Sequence, residues 1–395
     1  MITAPAGFVA GGLACGVKES GAPDLAIVAT ADGQPVPAAG VFTSNLATAA
    51  PVQVSRDHLR DGRAAAVVLS SGNANAATGE PGRVDARRMC ELTAAGIGAA
   101  AGDVLVCSTG LIGIPLPMPA LEAGIPKLAP ALGPGEGDAH AAADAILTTD
   151  TVRKEHIALF DVGGTAVTVA GMAKGAAMLS PAMATMLAVL TTDAAVDPAD
   201  LQRALGRGVD TTFNALSVDG CTSTNDTVLV LAGGAAGTGT LTGAGLDAFT
   251  AAVTEVCEHL ALAMAADAEG ATKLATVVVR GARSDADARL AARAVANSQL
   301  VQCSLNGEDP YWGRILSELG ASGVALDQEQ VDIAYGGVRV CHDGVAAPHD
   351  VAALARVMAA RDIEIDCDLH DGDGSARVVF TDLGYGYIDE NRGTS

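Results

Sequence analysis

Aromatic residues are scarce in this 395-residue sequence: Phe, Trp and Tyr together make up 3%, with a single Trp. A protein that grips single-stranded nucleic acid by stacking bases on side chains needs more of them. Positive charge is scarce too. Lys and Arg number 24 against 46 Asp and Glu, for a formal net charge of −22. Nucleic acid and anionic membranes both call for a basic face, so neither is an expected partner. Clean apolar runs of membrane-spanning length are missing. Val104 to Leu121 carries no charge but is broken by Pro115, Pro117 and Pro119, and the uncharged stretch from Gly175 to Thr192 contains Pro181 and several hydroxyls. The first basic residue is Lys18, so a secretory n-region is lacking. The eight cysteines, at 15, 90, 107, 221, 257, 303, 341 and 367, form no CxxC pair. Reduced thiols in a cytoplasm are the expectation.

Familiar chemical templates are missing as well. The histidines show no HxxxH or HExxH spacing, and there is no GxSxG elbow and no Walker sequence. Cys257 and His259 lie two apart on a predicted helix and face different ways, a poor metal pair. Asp366, Asp368, Asp371 and Asp373 cluster around a turn without the twelve-residue calcium-loop pattern, so a solvated hairpin is preferred. The glycines of TVLVLAGGAAGTGTLTG miss the dinucleotide fingerprint by one residue, and no clear helix opens on them.

What is present is α/β material. Strands are predicted at 26–30, 65–70, 157–160, 165–170, 227–233, 275–281 and 331–340, rich in Val, Ile and Thr and bounded by Gly, Asp or Asn. Helices are predicted at 84–100, 198–207, 246–268, 286–297 and 350–361. The second opens on Asp197-Pro198, an N-cap followed by proline at the first helical position. Residues 361–388 read as a hairpin with its turn at HDGDGS, and 128–140 as an exposed linker between two layers. The strand–helix order is too irregular for a simple doubly wound sheet.

Two stretches stand out. In VLVCSTGLIGIPLPMP (104–119) an apolar strand runs into Ser-Thr-Gly and a proline-rich turn, which can aim backbone N–H groups at one point. In MAKGAAMLSPAMATMLAVLTTDAA (172–195) a Lys-Gly pair, an internal Pro and an Ala-Thr-Met step accompany an apolar run. Residues 182–190 fit helix or strand on periodicity; a buried strand is chosen. Together, CSTGLIG and KGAAMLSPAMATML resemble the glutamate N-acetyltransferase (ornithine acetyltransferase) family of arginine biosynthesis. SSGNANAATG (70–79), AILTTDT (145–151), CTSTNDTV (221–228), DAEGATK (267–273) and DPYWGRI (309–315) match the same family in order.

The resemblance implies an αββα sandwich of the ornithine acetyltransferase and N-terminal-nucleophile aminopeptidase type. It also implies self-cleavage between Ala184 and Thr185 into an α chain, 1–184, and a β chain, 185–395, which stay together and pair into α2β2. Thr185 is then the nucleophile, and its new α-amine, with an ordinary pKa of about 7.7–8.0, is the base. Acetyl passes from N2-acetylornithine to glutamate by ping-pong transfer through an acetyl-threonine ester. Acetyl-CoA as an additional donor is left open. Thr109 and Gly110 match the oxyanion positions. Thr148, Lys174, Thr185, Glu269, Asn391 and Ser395 match substrate-binding positions; the tail ENRGTS is one residue short, so Thr394 is an alternative to Ser395. Ala177, Gln302 and Tyr311 depart from the usual pattern and bear on substrate preference. An N-terminal-nucleophile aminopeptidase, or an acetyltransferase of specialised metabolism with another acceptor, are the alternatives.

Overall fold

Runs of Val, Leu, Ile and Ala pack strands into two facing sheets in the first of two units. The computed structural model describes residues 1–178 and 186–392. The described residues of the first unit are 1–175, 186–214 and 222–264; those of the second are 176–178, 215–221 and 265–392.

One sheet of the first unit has the strand order Phe8–Leu13, Leu25–Thr30, Ala66–Asn73, Val104–Leu111. The other runs Arg63–Ala64, Val36–Phe42, Thr227–Ala232, Leu187–Thr192, Thr165–Lys174, Lys154–Val162. Val28, Val67, Leu69 and Leu105 of the first sheet share a buried core with Met172, Leu187, Val189 and Leu229 of the second. Alternate residues of the first sheet, among them Ile27, Val68 and Val106, pack instead on helices Gly79–Ile97 and Met118–Leu128. Helices Pro198–Thr211 and Gly243–Ala266 lie on the second sheet, where Gly171 leaves room for Val256 and Leu260. Helix, sheet, sheet, helix: this is the αββα sandwich expected. All six residues of Leu187–Thr192 are buried, which is why that strand reads as an unbroken apolar run.

The second unit is built on a seven-stranded sheet in the order Leu216–Ser217, Gly374–Thr381, Leu274–Ala282, Asp362–Asp368, Asp332–Tyr335, Val338–His342, Val345–Ala346. Ile363, Ile365 and Cys367 point into its core while Asp362 and Glu364 face solvent, the period-two signature of a one-sided sheet.

Several sequence expectations need correction. Segment 361–388 is no hairpin, because Leu274–Ala282 inserts between its two strands, parallel to one and antiparallel to the other. The predicted strand 331–340 is two strands turned at Gly336-Gly337, both of positive φ. The expected linker 128–140 is exposed at Pro130, Ala131 and 134–137, but Leu128 and Ala129 are buried, Ala10 and Gly133 exchange backbone hydrogen bonds, and helix Glu136–Ala145 begins within it. The Gly-rich loop after Thr227–Ala232 does lead into a helix, at Gly243. That helix is, among the described residues, the one long and apolar enough to cross a membrane, and its Phe249, Val253, Val256 and Leu260 are buried within the protein. All eight cysteines are free thiols.

Candidate active site

Three arms of the first unit carry the residues of interest. The first is the strand Val104–Leu111, parallel to Ala66–Asn73 and tied to it by the Ser70 and Ser108 hydroxyls at 2.9 Å. The register shifts at Gly72-Asn73, and Gly110 adopts a φ of +133° there. A side chain at Gly110 would put its Cβ 2.3 Å from the Gly72 carbonyl carbon and 2.5 Å from the Asn73 nitrogen, so only glycine fits. Thr109 is buried, and its Oγ1 has no hydrogen-bond partner among the described residues. A buried hydroxyl left unmatched is costly unless something else uses it.

The second arm is organised by Asp150. Its side chain is fully buried, as is that of Lys154, and Lys174 is 3% exposed. Asp150 Oδ1 accepts from Lys154 Nζ at 2.7 Å and from the Gly175 N–H at 2.7 Å. Oδ2 accepts from the Thr148 N–H at 3.1 Å and lies 3.8 Å from Lys174 Nζ. Burial alone would raise the Asp150 carboxyl, but the Lys174 and Lys154 charges outweigh it and hold the pKa at about 2. Lys18 adds a third cation in reach. Burial, with repulsion from Lys174, pulls its ammonium below the usual lysine range. Its Nζ donates to the carbonyls of Leu147 and Pro23 at 2.6 Å each. Lys154 and Lys174 thus close on a buried Asp150, while Lys18 is held between the charges of Asp24 and Asp150.

The third arm is Met186, which leads into the central strand Leu187–Thr192. Its N–H donates to Asp226 Oδ1 at 3.0 Å, and its carbonyl accepts from the Thr227 N–H at 3.2 Å. Burial raises the Asp226 carboxyl well above the usual carboxylate range, against the opposing pull of the Met186 N–H, the Ser223 hydroxyl and the Lys174 charge. Asn225, next in the chain, donates through Nδ2 to the carbonyls of Ala74 at 2.6 Å and Ser108 at 2.9 Å.

Thr148 and Lys174 meet at Asp150, and Thr109 and Gly110 lie in the same unit. Ala184 and Thr185 lie outside the described residues, as do Ser395 and Thr394. Glu269 and Asn391 meet in the second unit, where Asn391 Nδ2 donates to Glu269 Oε2 at 2.8 Å. Tyr387 stands beside them, its hydroxyl 3.1 Å from Asp219 Oδ2, and Asp219 also accepts from the Met178 N–H. The departures at 302 and 311 have structural explanations. Gln302 is buried and donates to the carbonyls of Val218 and Ala296, while Tyr311 is exposed beneath the Arg314 guanidinium. Asp332, His342 and Asp343 bring three ligand-type atoms within 4.8 Å of one another, but the latter two are exposed and His342 is already bonded to Asp332.

Sequence reasoning passes over Asp150, Lys154, Asn225 and Asp226. A signal exists for Asp150, Asn225 and Asp226: the matched motifs AILTTDT and CTSTNDTV hold them, and the second sets its carboxylate directly before an apolar strand.

The sequence model of the ArgJ family matches residues 9–393. The chain belongs to the ArgJ family. The arginine biosynthesis bifunctional protein ArgJ of Symbiobacterium thermophilum is 47% identical over 392 residues, which cover 99% of this chain and 97% of that protein. The protein of the same description from Mycobacterium leprae is 47% identical over 395 residues, covering 99% of this chain and 94% of its own. A crystal structure of arginine biosynthesis bifunctional protein argJ from Bacillus halodurans superimposes with a TM-score of 0.50 at 38% identity, covering 51% of this chain and 96% of that one. The αββα sandwich is thus the fold of an ArgJ protein, and the near-complete coverage of the sequence relatives takes in the oxyanion, Lys-Gly and Ala-Thr-Met motifs alike.

Proposed function

We propose that this ArgJ-family acetyltransferase moves the acetyl group of N2-acetylornithine to glutamate, through an acetyl ester of Thr185. The observation that carries the reading is the full-length match to ArgJ proteins, joined to a Lys174 ammonium held 3.8 Å from the buried Asp150. Donor and acceptor are both amino acids, and an ammonium suits an α-carboxylate.

Maturation comes first. The Thr185 hydroxyl attacks the Ala184 carbonyl, the peptide becomes an ester, and water hydrolyses it to an Ala184 carboxylate and a free Thr185 α-amine. That amine takes the hydroxyl proton when Thr185 attacks the acetyl carbonyl of the donor. The tetrahedral oxyanion collapses, expels the ornithine amine with a proton, and leaves acetyl-Thr185. The glutamate amine attacks this ester and gives a proton to the α-amine; collapse expels the Thr185 oxygen, which takes that proton back, and N-acetylglutamate departs. Every step is acyl or proton transfer, so the scheme uses no metal or redox cofactor.

In this reading Thr109 and Gly110 donate to the oxyanion. Gly110→Ala displaces that arm by pressing on Gly72 and Asn73, and kcat is expected to fall about 10²- to 10³-fold with KM little changed in steady-state assays. Thr148, Lys174, Glu269, Asn391 and Ser395 or Thr394 bind the substrate in the same reading. The pieces 1–184 and 185–395 remain associated, pair as α2β2 and work in the cytoplasm. The word bifunctional in the names of the relatives supports acetyl-CoA as a further donor of acetyl to glutamate.

The test follows an isotope-labelled acetyl group from N2-acetylornithine in the presence of glutamate. Label in N-acetylglutamate, with stoichiometric ornithine, is the expected result. Label released as free acetate, with none on glutamate, would overturn transfer in favour of hydrolysis. Acetyl-CoA in place of acetylornithine asks about the second donor in the same assay.

A further inference from the structure

Asn225 and Asp226 are adjacent in the chain, both buried, and reach in two directions. Asn225 Nδ2 holds the Ser108 carbonyl, one peptide before Thr109. Asp226 Oδ1 holds the Met186 N–H, one peptide after Thr185. Both belong to the run entering Thr227–Ala232, which is hydrogen-bonded in parallel register to Leu187–Thr192. Successive residues of an extended chain point to opposite sides, so one dipeptide fixes two arms without spanning them with a flexible side chain. Asn225 is itself held, its Oδ1 accepting from the Thr224 hydroxyl at 2.6 Å.

We propose that the Asn225-Asp226 pair is the positioning device of this enzyme, setting the Thr109 arm and the peptide that follows Thr185 into register for self-cleavage and acetyl transfer. The inference rests on Thr185 as the nucleophile.

Asp226 works here as a neutral acid. Its Oδ2 is buried with no partner among the described residues, an arrangement that a full negative charge would make far more costly. The groups facing it are the Met186 N–H, the Ser223 hydroxyl and the Lys174 ammonium, and the last of these is shared with Asp150. An asparagine in its place keeps an oxygen to accept from Met186 and offers an N–H where the acid offers O–H, so size and hydrogen bonding survive while titration is lost. Alanine leaves the Met186 N–H buried and unpaired.

The experiment compares the full chain with Asp226→Ala and Asp226→Asn, following cleavage by intact-mass spectrometry and transfer by kcat, KM and pH profile. A misplacement of about 1 Å costs about 100-fold in rate, so Asp226→Ala should slow both cleavage and kcat by about that factor while KM stays within about threefold. Asp226→Asn should recover both to within about fivefold of the parent. The parent rate should also fall as pH rises through the elevated Asp226 pKa, because a buried charge with one unmatched oxygen then forms against the Met186 arm; Asp226→Asn should flatten that limb. Parent-like cleavage and kcat in Asp226→Ala would overturn the proposal. So would an Asp226→Asn variant as slow as the alanine, since the carboxylate would then be acting as a base. If Asp226→Ala does not fold, the Asp226→Asn rate and its pH profile decide. A parent chain that is never cut at 184/185 but transfers acetyl would sink the Thr185 reading, and remains distinguishable from failure at Asp226.

Discussion

Replacing Thr185 with alanine is expected to leave the 395-residue chain in one piece and to abolish acetyl transfer. Denaturing mass spectrometry should show one species for Thr185→Ala, and two, ending at Ala184 and starting at Thr185, for the parent. The effect is expected to be the largest of any single substitution, because one residue supplies the attacking oxygen, the proton acceptor and the cleavage site. Removing a nucleophile of this kind typically costs at least about 10⁴-fold in rate, and the partial activity left by binding and oxyanion donors is small beside it. A whole chain in the parent under conditions that support activity would defeat the autocleavage scheme. A Thr185→Ala chain that is nevertheless cut would locate the scission chemistry elsewhere.

The second large effect is at Asp150. Asp150→Ala removes the anion between two lysines whose side chains are at most 3% exposed. Breaking a buried pair from one side leaves an uncompensated charge and typically costs about 3–5 kcal/mol. The Gly175 and Thr148 N–H groups lose their acceptor as well. Denaturant unfolding should show the loss, with kcat falling too as Lys174 shifts. The acid dependence has a defined sign. The folded pKa, about 2, lies below the ordinary 3.8. The stabilisation from this group is therefore complete above about pH 4, is worth roughly 2 kcal/mol there, and drains away as pH falls through about 2. Asp150→Asn should lack that drain. An alanine variant as stable as the parent would show that the two lysines find other compensation.

Local signals in the sequence serve well where a segment's structure depends on its own residues. Asp197 caps Pro198–Thr211 by accepting from the Ala199 N–H at 3.0 Å, as the Asp-Pro pair predicts. The apolar run after Thr185 is a strand because both faces are covered. Signals fail where a distant segment decides the outcome. Asp362–Asp368 and Gly374–Thr381 look like hairpin partners until Leu274–Ala282, far earlier in the chain, takes the place between them. The helices Gln299–Asn306 and Trp312–Ala321 are absent from the sequence expectations, and the glycines and prolines of 128–140 disguise a helix start. The site divides in the same way. Lys174, Thr109 and Gly110 are legible through the resemblance of their motifs. Asp150 draws its partners from positions 148, 154, 174 and 175, and Asp226 reaches 40 residues back to Met186, so neither role follows from nearest neighbours alone.

The strand Leu187–Thr192 is paired on both edges, parallel to Thr227–Ala232 and antiparallel to Thr165–Lys174, in the middle of a six-stranded sheet. The last of these neighbours precedes the scissile bond and the first follows it. A cut between them therefore changes the reversibility of the fold more than its architecture. Before cleavage, the two sides of the sheet search for each other as parts of one polymer, at the high effective concentration that a short tether provides. After cleavage the same ladder is an interface between separate molecules, and unfolding becomes dissociation. Under the proposed cleavage the enzyme would assemble once, as a single chain, and thereafter persist by the slowness of its unfolding, because dilution would penalise its recovery.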